Sequence, residues 1–332
     1  MPAPRRPRPS RRASSLAASA LALGLAVALA GCSAPAAGPV DPGATPTAAT
    51  IEDCGVAVTP RAAPAERIVA IKSTAAELVV ALGLGDALVA TAFLDGPAPA
   101  GVPSDAAAIE GMPSRESVLE LEPDAVVAGW ESAFAPEAVG DRAQLEALGI
   151  TTWVSPAACW STDVAPLTWE ALLDEFGAAA SALGVPEAGA ALAAEQRQDL
   201  ATIEPVASDA SALWYSSGED APYVGAGSGA PQLVLETAGL TNVAAGVDET
   251  WTTLSWEAVA ASDPDLIVLV DAPWHTAESK IERLRANPAT AELAAVREER
   301  FVVVPFPMAE AGVGSVAAAR LVADGAREMG LG

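Results

Sequence analysis

Histidine and lysine are nearly absent from this chain, and their scarcity limits its chemistry. The 332 residues contain one histidine, His275, and two lysines, Lys72 and Lys280. With one histidine and no Gly-x-Ser-x-Gly turn near a strand end, a Ser-His-Asp triad and a histidine-rich metal cage both lack their essential groups. A formal net charge of −25 argues against nucleic acid as a partner. We therefore predict a protein that is not an enzyme and that holds no metal or cofactor of its own.

Two short patterns look like nucleotide-binding motifs, but both are incomplete. Lys72-Ser73-Thr74 has the sequence of the end of a phosphate-binding loop, yet residues 67–71 before it contain no glycine. Gly225-x-Gly227-x-Gly229 lies between a predicted strand and a predicted helix but lacks the dinucleotide-binding spacing. Neither pattern indicates a nucleotide site.

The N-terminal residues 1–31 have the features of a secretory signal peptide. Five arginines precede an uncharged, mostly apolar stretch, residues 14–30, which is short for a membrane span. The stretch ends in Leu29-Ala30-Gly31-Cys32, a pattern typical of a bacterial lipobox, in which Cys32 is lipidated and becomes the mature N-terminus. An uncleaved membrane helix is the alternative. Cleavage would remove the five arginines and no acidic residue, so the net charge would become −30.

The chain after the lipobox has no second apolar stretch long enough to span a membrane. Residues 32–53 are rich in proline, alanine, glycine and threonine, which predicts a flexible tether. We therefore expect an extracytoplasmic protein that is attached to the cell membrane through its lipid only.

Two cysteines remain besides Cys32. In an oxidising compartment Cys54 and Cys159 can form a disulfide, and two unpaired buried cysteines are the alternative. A bridge would close a loop of about 105 residues and would stabilise the fold by about 4–5 kcal/mol in the chain-entropy model.

One phrase occurs twice with identical internal spacing, which predicts two lobes built alike. The two copies are Ser114-x-Glu116-x-Val118 with Pro123-Asp124, and Ser255-x-Glu257-x-Val259 with Pro264-Asp265. In each copy a serine stands at a helix N-cap, a glutamate lies in the first turn, and Pro-Asp ends the helix before an apolar strand. This helix-to-strand unit is the repeating element of a parallel α/β sheet. Ordinary helix capping is the alternative explanation for each glutamate taken alone.

The remaining pattern divides the chain into two lobes and a connector. Alternating strand and helix signals over residues 54–166 predict the N-terminal α/β lobe, and residues 205–332 predict the C-terminal one. Residues 167–204 between them read as helix, interrupted near Gly184 to Pro186. Ligands of open α/β sheets bind at the carboxyl ends of the strands, so we expect a ligand cleft between the lobes.

Two groups of side chains are candidates for contacts with a ligand in this cleft. Lys72, followed by Ser73, comes directly after an apolar strand at a helix start, where a cation and free N–H groups make an anion site. The alternative is a lysine that points into solvent. Aromatic residues at strand ends and in the loops that follow form the second group: Phe93, Trp130, Trp214, Tyr215, Tyr223, Trp251 and Trp274. Their rings suit stacking on a planar ligand, although ordinary packing explains any one of them.

The lipobox, Cys54-Gly-Val-Ala-Val, Arg67-Ile-Val-Ala-Ile-Lys-Ser-Thr and the repeated Glu-x6-Pro-Asp phrase together resemble a known family. They are similar to the cobalamin and siderophore class of ABC-transporter substrate-binding lipoproteins. The resemblance implies the class III periplasmic-binding-protein fold, in which a long rigid helix connects two Rossmann-like lobes. It also implies a small-molecule ligand between the lobes. Glu116 and Glu257 match the glutamates that pair with arginines of the permease dimer.

Further phrases resemble an actinobacterial subfamily assigned to a precursor of the deazaflavin coenzyme F-420. They are Ala70-Ile-Lys-Ser-Thr, Phe93-Leu-Asp-Gly, Ala128-Gly-Trp-Glu, Val154-Ser-Pro-Ala-Ala-Cys159, Leu213-Trp-Tyr-Ser-Ser-Gly and Tyr223-Val-Gly-Ala-Gly. The resemblance implies a planar, anionic ligand that would suit tryptophan faces and Lys72. A siderophore, haem or cobalamin receptor is the alternative on the same scaffold, with haem disfavoured by scarce tyrosine and histidine. A lipoprotein enzyme or adhesin is the alternative of another class.

Overall fold

The computed structural model describes residues 50–155, 158–159 and 165–332. The predicted signal peptide, residues 1–31, and the lipidation candidate Cys32 lie outside the described residues. The first elements are β1, Ile51–Asp53, and β2, Val56–Val58, which pair as an antiparallel ribbon.

The predicted tether is therefore too long at its C-terminal end. Asp53 belongs to strand β1, and its buried carboxylate accepts hydrogen bonds from Arg142 at 2.6 Å and from the backbone N–H of Val154 at 2.9 Å. A buried ion pair with long-range partners holds this segment on the globular body, and local composition does not reveal such a pair.

The N-terminal lobe contains a parallel five-stranded sheet. Its strands lie in the order β5-β4-β3-β6-β7 and are covered by helices. Its elements are β3 Ile68–Ile71, α1 Ser73–Ala81, a single 3-10 turn Gly85–Ala87, β4 Leu88–Ala92, β5 Ala107–Ile109, α2 Arg115–Leu119, β6 Ala125–Ala128, a 3-10 turn Glu131–Phe134, α3 Arg142–Glu146 and β7 Thr151–Val154. Alternate residues of β3 and β6 enter two different core clusters, as expected of central strands buried on both faces.

The connector consists of two helices, α4 Trp169–Ala182 and α5 Pro186–Leu200. They are separated at Gly184, which has a φ of +81° and at which a Cβ would lie 2.1 Å from the carbonyl oxygen of Ala63. Proline in the first turn of α5 starts a new helix rather than continuing α4. The family resemblance implied one long helix, whereas the structure has two. Both of them contact the C-terminal lobe, α4 through a hydrogen bond from Trp169 to Thr237 at 2.9 Å.

Both helices also pack on the N-terminal lobe. Helix α4 places Leu172, Leu173 and Phe176 in the core of the N-terminal lobe. Helix α5 adds Leu192 and Ala193 to the same core, and Arg320 of the C-terminal lobe donates a hydrogen bond to the carbonyl of Asp199 at the end of α5, at 2.9 Å.

The C-terminal lobe contains a mixed sheet with the strand order β11-β9-β8-β12-β13, and β10 also pairs with β8. Its elements are β8 Ser211–Ser217, β9 Tyr223–Gly225, α6 Ala230–Ala238, β10 Thr241–Asn242, β11 Trp251–Thr253, α7 Trp256–Ser262, β12 Leu266–Asp271, α8 Ala277–Ala286, α9 Ala294–Arg297, β13 Phe301–Pro305, α10 Phe306–Ala309 and α11 Ser315–Glu328. Strand β9 is antiparallel to β8 and β11. A turn at Gly218, with a φ of +90°, makes this hairpin possible.

The repeated phrase forms the same unit in both lobes. Ser114 and Ser255 cap α2 and α7 by accepting hydrogen bonds from backbone N–H groups three residues later. Each helix leads to a central strand, β6 or β12, as the spacing predicts. The aspartate of each phrase has a second role, because Asp124 accepts from the backbone N–H of Arg67 and Asp265 accepts from that of Ser211. These carboxylates bind the starts of β3 and β8.

The architecture confirms the predicted fold class, two α/β lobes with a helical connection. Across the described ranges, no helix combines the length and the apolarity that crossing a membrane requires.

Candidate functional site

A cavity of about 800 Å³ lies between the two lobes. Trp130, which follows β6, and Cys159, which follows β7, contribute to its wall from the N-terminal lobe. The C-terminal lobe contributes the end of β8 and the residues that follow β12 and β13. The cavity therefore lies at the carboxyl ends of strands in both sheets, where open α/β sheets bind ligands.

Four of the predicted aromatic residues line this cavity: Trp130, Tyr223, Trp251 and Trp274. Tyr223 and Trp251 are stacked, with ring centres 5.8 Å apart and an angle of 19° between the planes. Because the backbone of Trp251 is opposite Gly225 on β9, no side chain there separates the two rings. Tyr223 and Trp274 are 40% and 60% exposed, which is unusual for rings of this size. Their role in ligand binding stays a prediction.

Trp214 and Tyr215 do not reach the cavity, contrary to the prediction. Both are fully buried, Trp214 in the main core of the C-terminal lobe and Tyr215 against Trp256. Strand β8 runs on to Ser217, so both aromatics lie inside a central strand rather than at its end. Ser216 and Ser217 occupy the strand end and line the cavity instead.

Lys72 is not a free cation at the cavity wall. Its side chain is buried, at 2% exposure, and its Nζ forms an ion pair with Asp95. The ammonium also lies 3.8 Å from the centre of the Trp130 ring and 4.2 Å from that of Phe93. Burial lowers the pKa of Lys72, and the hydrogen bond and charge of Asp95 oppose that shift. The predicted anion site therefore already holds a carboxylate of the protein itself.

Ser73 and Phe93 support this buried pair and do not line the cavity. The Ser73 hydroxyl accepts a hydrogen bond from the backbone N–H of Asp95 at 2.8 Å. Phe93 has a φ of +49° and packs edge-on against Trp130, with ring centres 5.9 Å apart. Sequence reasoning missed Asp95 as the partner of Lys72. The signal was available, since both follow neighbouring parallel strands, β4 and β3, at the same sheet edge.

Glu310 is a cavity residue for which the sequence carries no motif. It follows helix α10, and its half-buried side chain lines the cavity. Burial raises the pKa of Glu310 to about 7, and the charge of Asp95 adds to the shift, while Lys72 and a hydrogen bond with Trp130 oppose it. Trp130 belongs to the other lobe, so side chains of both lobes meet at this part of the cavity wall.

Two further carboxylates, those of Asp248 and Glu249, line the cavity and are exposed. The hydroxyl of Ser228 donates to Asp248 at 2.8 Å. Among the described residues that line the cavity there is no lysine or arginine. The wall thus combines aromatic faces with acidic groups.

Cys54 and Cys159, the predicted pair, form a disulfide in the structure. Together with Asp53 they place three donor atoms within 4.8 Å of one another, a spacing that suits a metal ion. Both sulfurs are used by the disulfide, and the Asp53 carboxylate is bound by Arg142. This cluster therefore stabilises the cavity wall near Cys159 rather than offering free ligands to a metal.

Glu116 and Glu257, the predicted permease contacts, lie in the first turns of α2 and α7 and are exposed. Equivalent positions in the two repeat units present two like charges to solvent. Their role in docking stays a prediction.

The fold and this cavity define a two-lobed solute-binding protein, and comparison with known proteins gives the family. The model of the family described as periplasmic binding protein matches residues 68–308, and the chain belongs to this family. The vitamin B12-binding protein of Vibrio cholerae is 27% identical over 206 residues, which are 61% of this chain and 70% of that protein.

Solved structures agree with this assignment. A protein of an ABC-type Fe3+-hydroxamate transport system from Saccharomonospora viridis has 25% identity and a TM-score of 0.68, over 84% of this chain and 99% of that one. A periplasmic heme-binding protein from Roseiflexus has 26% identity and a TM-score of 0.62, over 79% of this chain and 99% of that one.

Family membership settles the class of function. Proteins of this family bind small solutes outside the cytoplasmic membrane and interact with ABC permeases. The chain is accordingly a solute-binding protein and not an enzyme, in agreement with the prediction from the sequence.

Proposed function

We propose that this protein is the receptor that binds a flat, ring-containing solute for an ABC importer. The observation that carries the proposal is the group of five aromatic side chains, from both lobes, around one cavity: Trp130, Tyr223, Trp251, Trp274 and Phe306. A cavity of about 800 Å³ is in the size range of sites for drug-sized ligands. Large aromatic rings stack on planar ligands and bury much area at small entropic cost.

The deazaflavin precursor of coenzyme F-420 is the first ring solute to test, because of the subfamily phrases in the sequence. Its planar ring system suits stacking on the rings of Tyr223 and Trp251, which are themselves stacked. Its phosphodiester and carboxylate have no partner at Lys72, since that ammonium is paired with Asp95. In this complex the acidic groups would have to lie away from Glu310 and point toward solvent.

A corrinoid is the second candidate, and the match to the vitamin B12-binding protein favours it. Haem is less favoured by the chemistry of Tyr223, the tyrosine at the cavity. A tyrosine binds haem iron as the phenolate. Burial and the charges of Glu310 and Glu249 raise the pKa of Tyr223 and so favour its neutral form.

The experiment compares the candidates on the purified mature protein. Titration with the deazaflavin precursor, cyanocobalamin and hemin is followed by quenching of tryptophan emission and by the absorption spectrum of each ligand. We expect Trp251→Ala to weaken binding of the true ligand by roughly tenfold or more, because it removes one stacking ring. Trp256→Phe is the matched control, since Trp256 packs against Tyr215 away from the cavity. Equal binding by both variants would contradict the proposal.

We also propose that the receptor is held at the membrane by a lipid on Cys32. The support is the run of small residues beside the cysteine, Ala30-Gly31, after the apolar stretch. We expect Cys32→Ala to release the protein into the medium or to leave an unprocessed precursor, as judged by fractionation and mass spectrometry. Mature protein that stays fully membrane-bound in this variant would refute the anchor.

A further inference from the structure

The described wall of the interlobe cavity carries charge of one sign. Three carboxylates, Asp248, Glu249 and Glu310, line it, and no described lining residue is basic. An anion in this cavity would leave water without gaining a counter-charge from the described wall, which costs free energy.

Lys72 lies behind the cavity wall and does not change the sign of the wall's charge. The Lys72 ammonium is paired with Asp95, is covered by the rings of Trp130 and Phe93, and is 2% exposed. When all three groups are ionised, Lys72, Asp95 and Glu310 together carry a net charge of −1. A cation bound beside Glu310 would favour the ionised form of this carboxyl group.

The aromatic side chains of the cavity also favour a positively charged ligand, by an effect that is separate from the carboxylates. The faces of tryptophan and tyrosine rings carry negative electrostatic potential and attract cations within about 6 Å of the ring centre. Trp251, Tyr223 and Trp274 line the cavity, two of them as a stacked pair. The protein already uses this interaction once, where the Lys72 ammonium lies 3.8 Å from the centre of the Trp130 ring.

We infer that this cavity selects a flat cationic solute, a conjugated ring that bears a quaternary or protonated nitrogen, and that it discriminates against anions. The inference rests on the proposed function, because it concerns the charge of the ring solute that the receptor binds. It predicts that the deazaflavin phosphodiester binds this cavity more weakly than neutral and cationic ring solutes do.

The test uses three probes with one ring system and different charges: N-methylquinolinium, neutral quinoline and quinoline-2-carboxylate. Equilibrium dialysis with the mature protein, at low ionic strength and about pH 8, gives the three affinities. We expect the cation to bind about tenfold more tightly than neutral quinoline, and the carboxylate to bind most weakly.

Variants test whether the preference for the cationic probe comes from the cavity carboxylates or from the net charge of the whole protein. Glu310→Gln and Glu249→Gln should each weaken binding of N-methylquinolinium by roughly five- to tenfold and improve binding of the carboxylate. Glu187→Gln makes the same change of charge on the exposed surface of helix α5 and should leave all three affinities unchanged.

Each outcome decides between the two proposals. Probes that bind without charge preference, or a preference for the carboxylate, would overturn the charge inference and leave the ring receptor intact. An unchanged preference in both Glu310→Gln and Glu249→Gln would do the same. If none of the quinoline probes and none of the larger ring ligands binds, the ring-solute proposal fails together with the inference.

Discussion

Burial raises the pKa of the Glu175 carboxyl to about 7, and the nearby charge of Asp53 adds to the shift. The folded protein keeps a proton that the unfolded chain loses near its ordinary pKa of 4.5. Its stability therefore falls as the pH rises from about 4.5 to about 7. We expect Glu175→Gln to raise the free energy of unfolding at pH 8 by roughly 2–3 kcal/mol and to have little effect at pH 4.5.

Urea denaturation of parent and variant at the two pH values measures this difference. Glu195→Gln, on the exposed side of helix α5, is the control and should shift stability little at either pH. A gain from Glu175→Gln that is the same at both pH values would contradict the assignment.

The ion pair of Lys72 and Asp95 leads to a second prediction about individual residues. Removing one partner leaves a buried, uncompensated charge, so Lys72→Met alone should cost about 3–5 kcal/mol of folding free energy. The double variant Lys72→Met/Asp95→Leu removes both charges and should cost much less than the sum of the single changes. Thermal or urea unfolding of Lys72→Met, Asp95→Leu and the double variant gives the coupling. Additive losses would show that the two groups are not paired.

Among the elements, the ribbon of β1 and β2 is tied to the cavity wall by the disulfide of Cys54 and Cys159, which spans 105 residues. We expect Cys54→Ala/Cys159→Ala to lower the free energy of unfolding by about 3–5 kcal/mol, since the unfolded chain is no longer constrained. The parent protein measured under reducing conditions should lose the same amount. A double variant as stable as the oxidised parent would contradict this account.

For the whole molecule, the two repeat units present Glu116 and Glu257 at equivalent helix starts. Two similar lobes suit a two-fold permease, and complementary charge sets the register of such a contact more than its affinity. We expect Glu116→Arg/Glu257→Arg to abolish uptake in cells while the purified protein binds its ligand normally. The single reversals should have intermediate effects. Uptake that survives the double reversal would refute the docking role.

Signals that are local in the sequence determine the helix caps, the helix ends and the strands of the repeat units. The caps at Ser114 and Ser255, the Pro-Asp helix ends and the apolar strands after them depend on residues within one or two turns. Four of the aromatic residues predicted at strand ends and in loops do line the cavity. For the helix caps, the helix ends and the strands, chain-local chemistry is sufficient.

By itself, the sequence determined the class of fold, its two similar units and the break of the connector at Gly184, because capping, periodicity and glycine act over short stretches of chain. Only the tertiary structure decided which side chains face the cavity. Trp214 is buried because β8 extends past it, Lys72 is neutralised by Asp95 from a neighbouring strand, and Glu310 reaches the wall from a helix far along the chain. Exposure and pairing of side chains depend on partners that are distant in sequence, and these partners set the charge of the site.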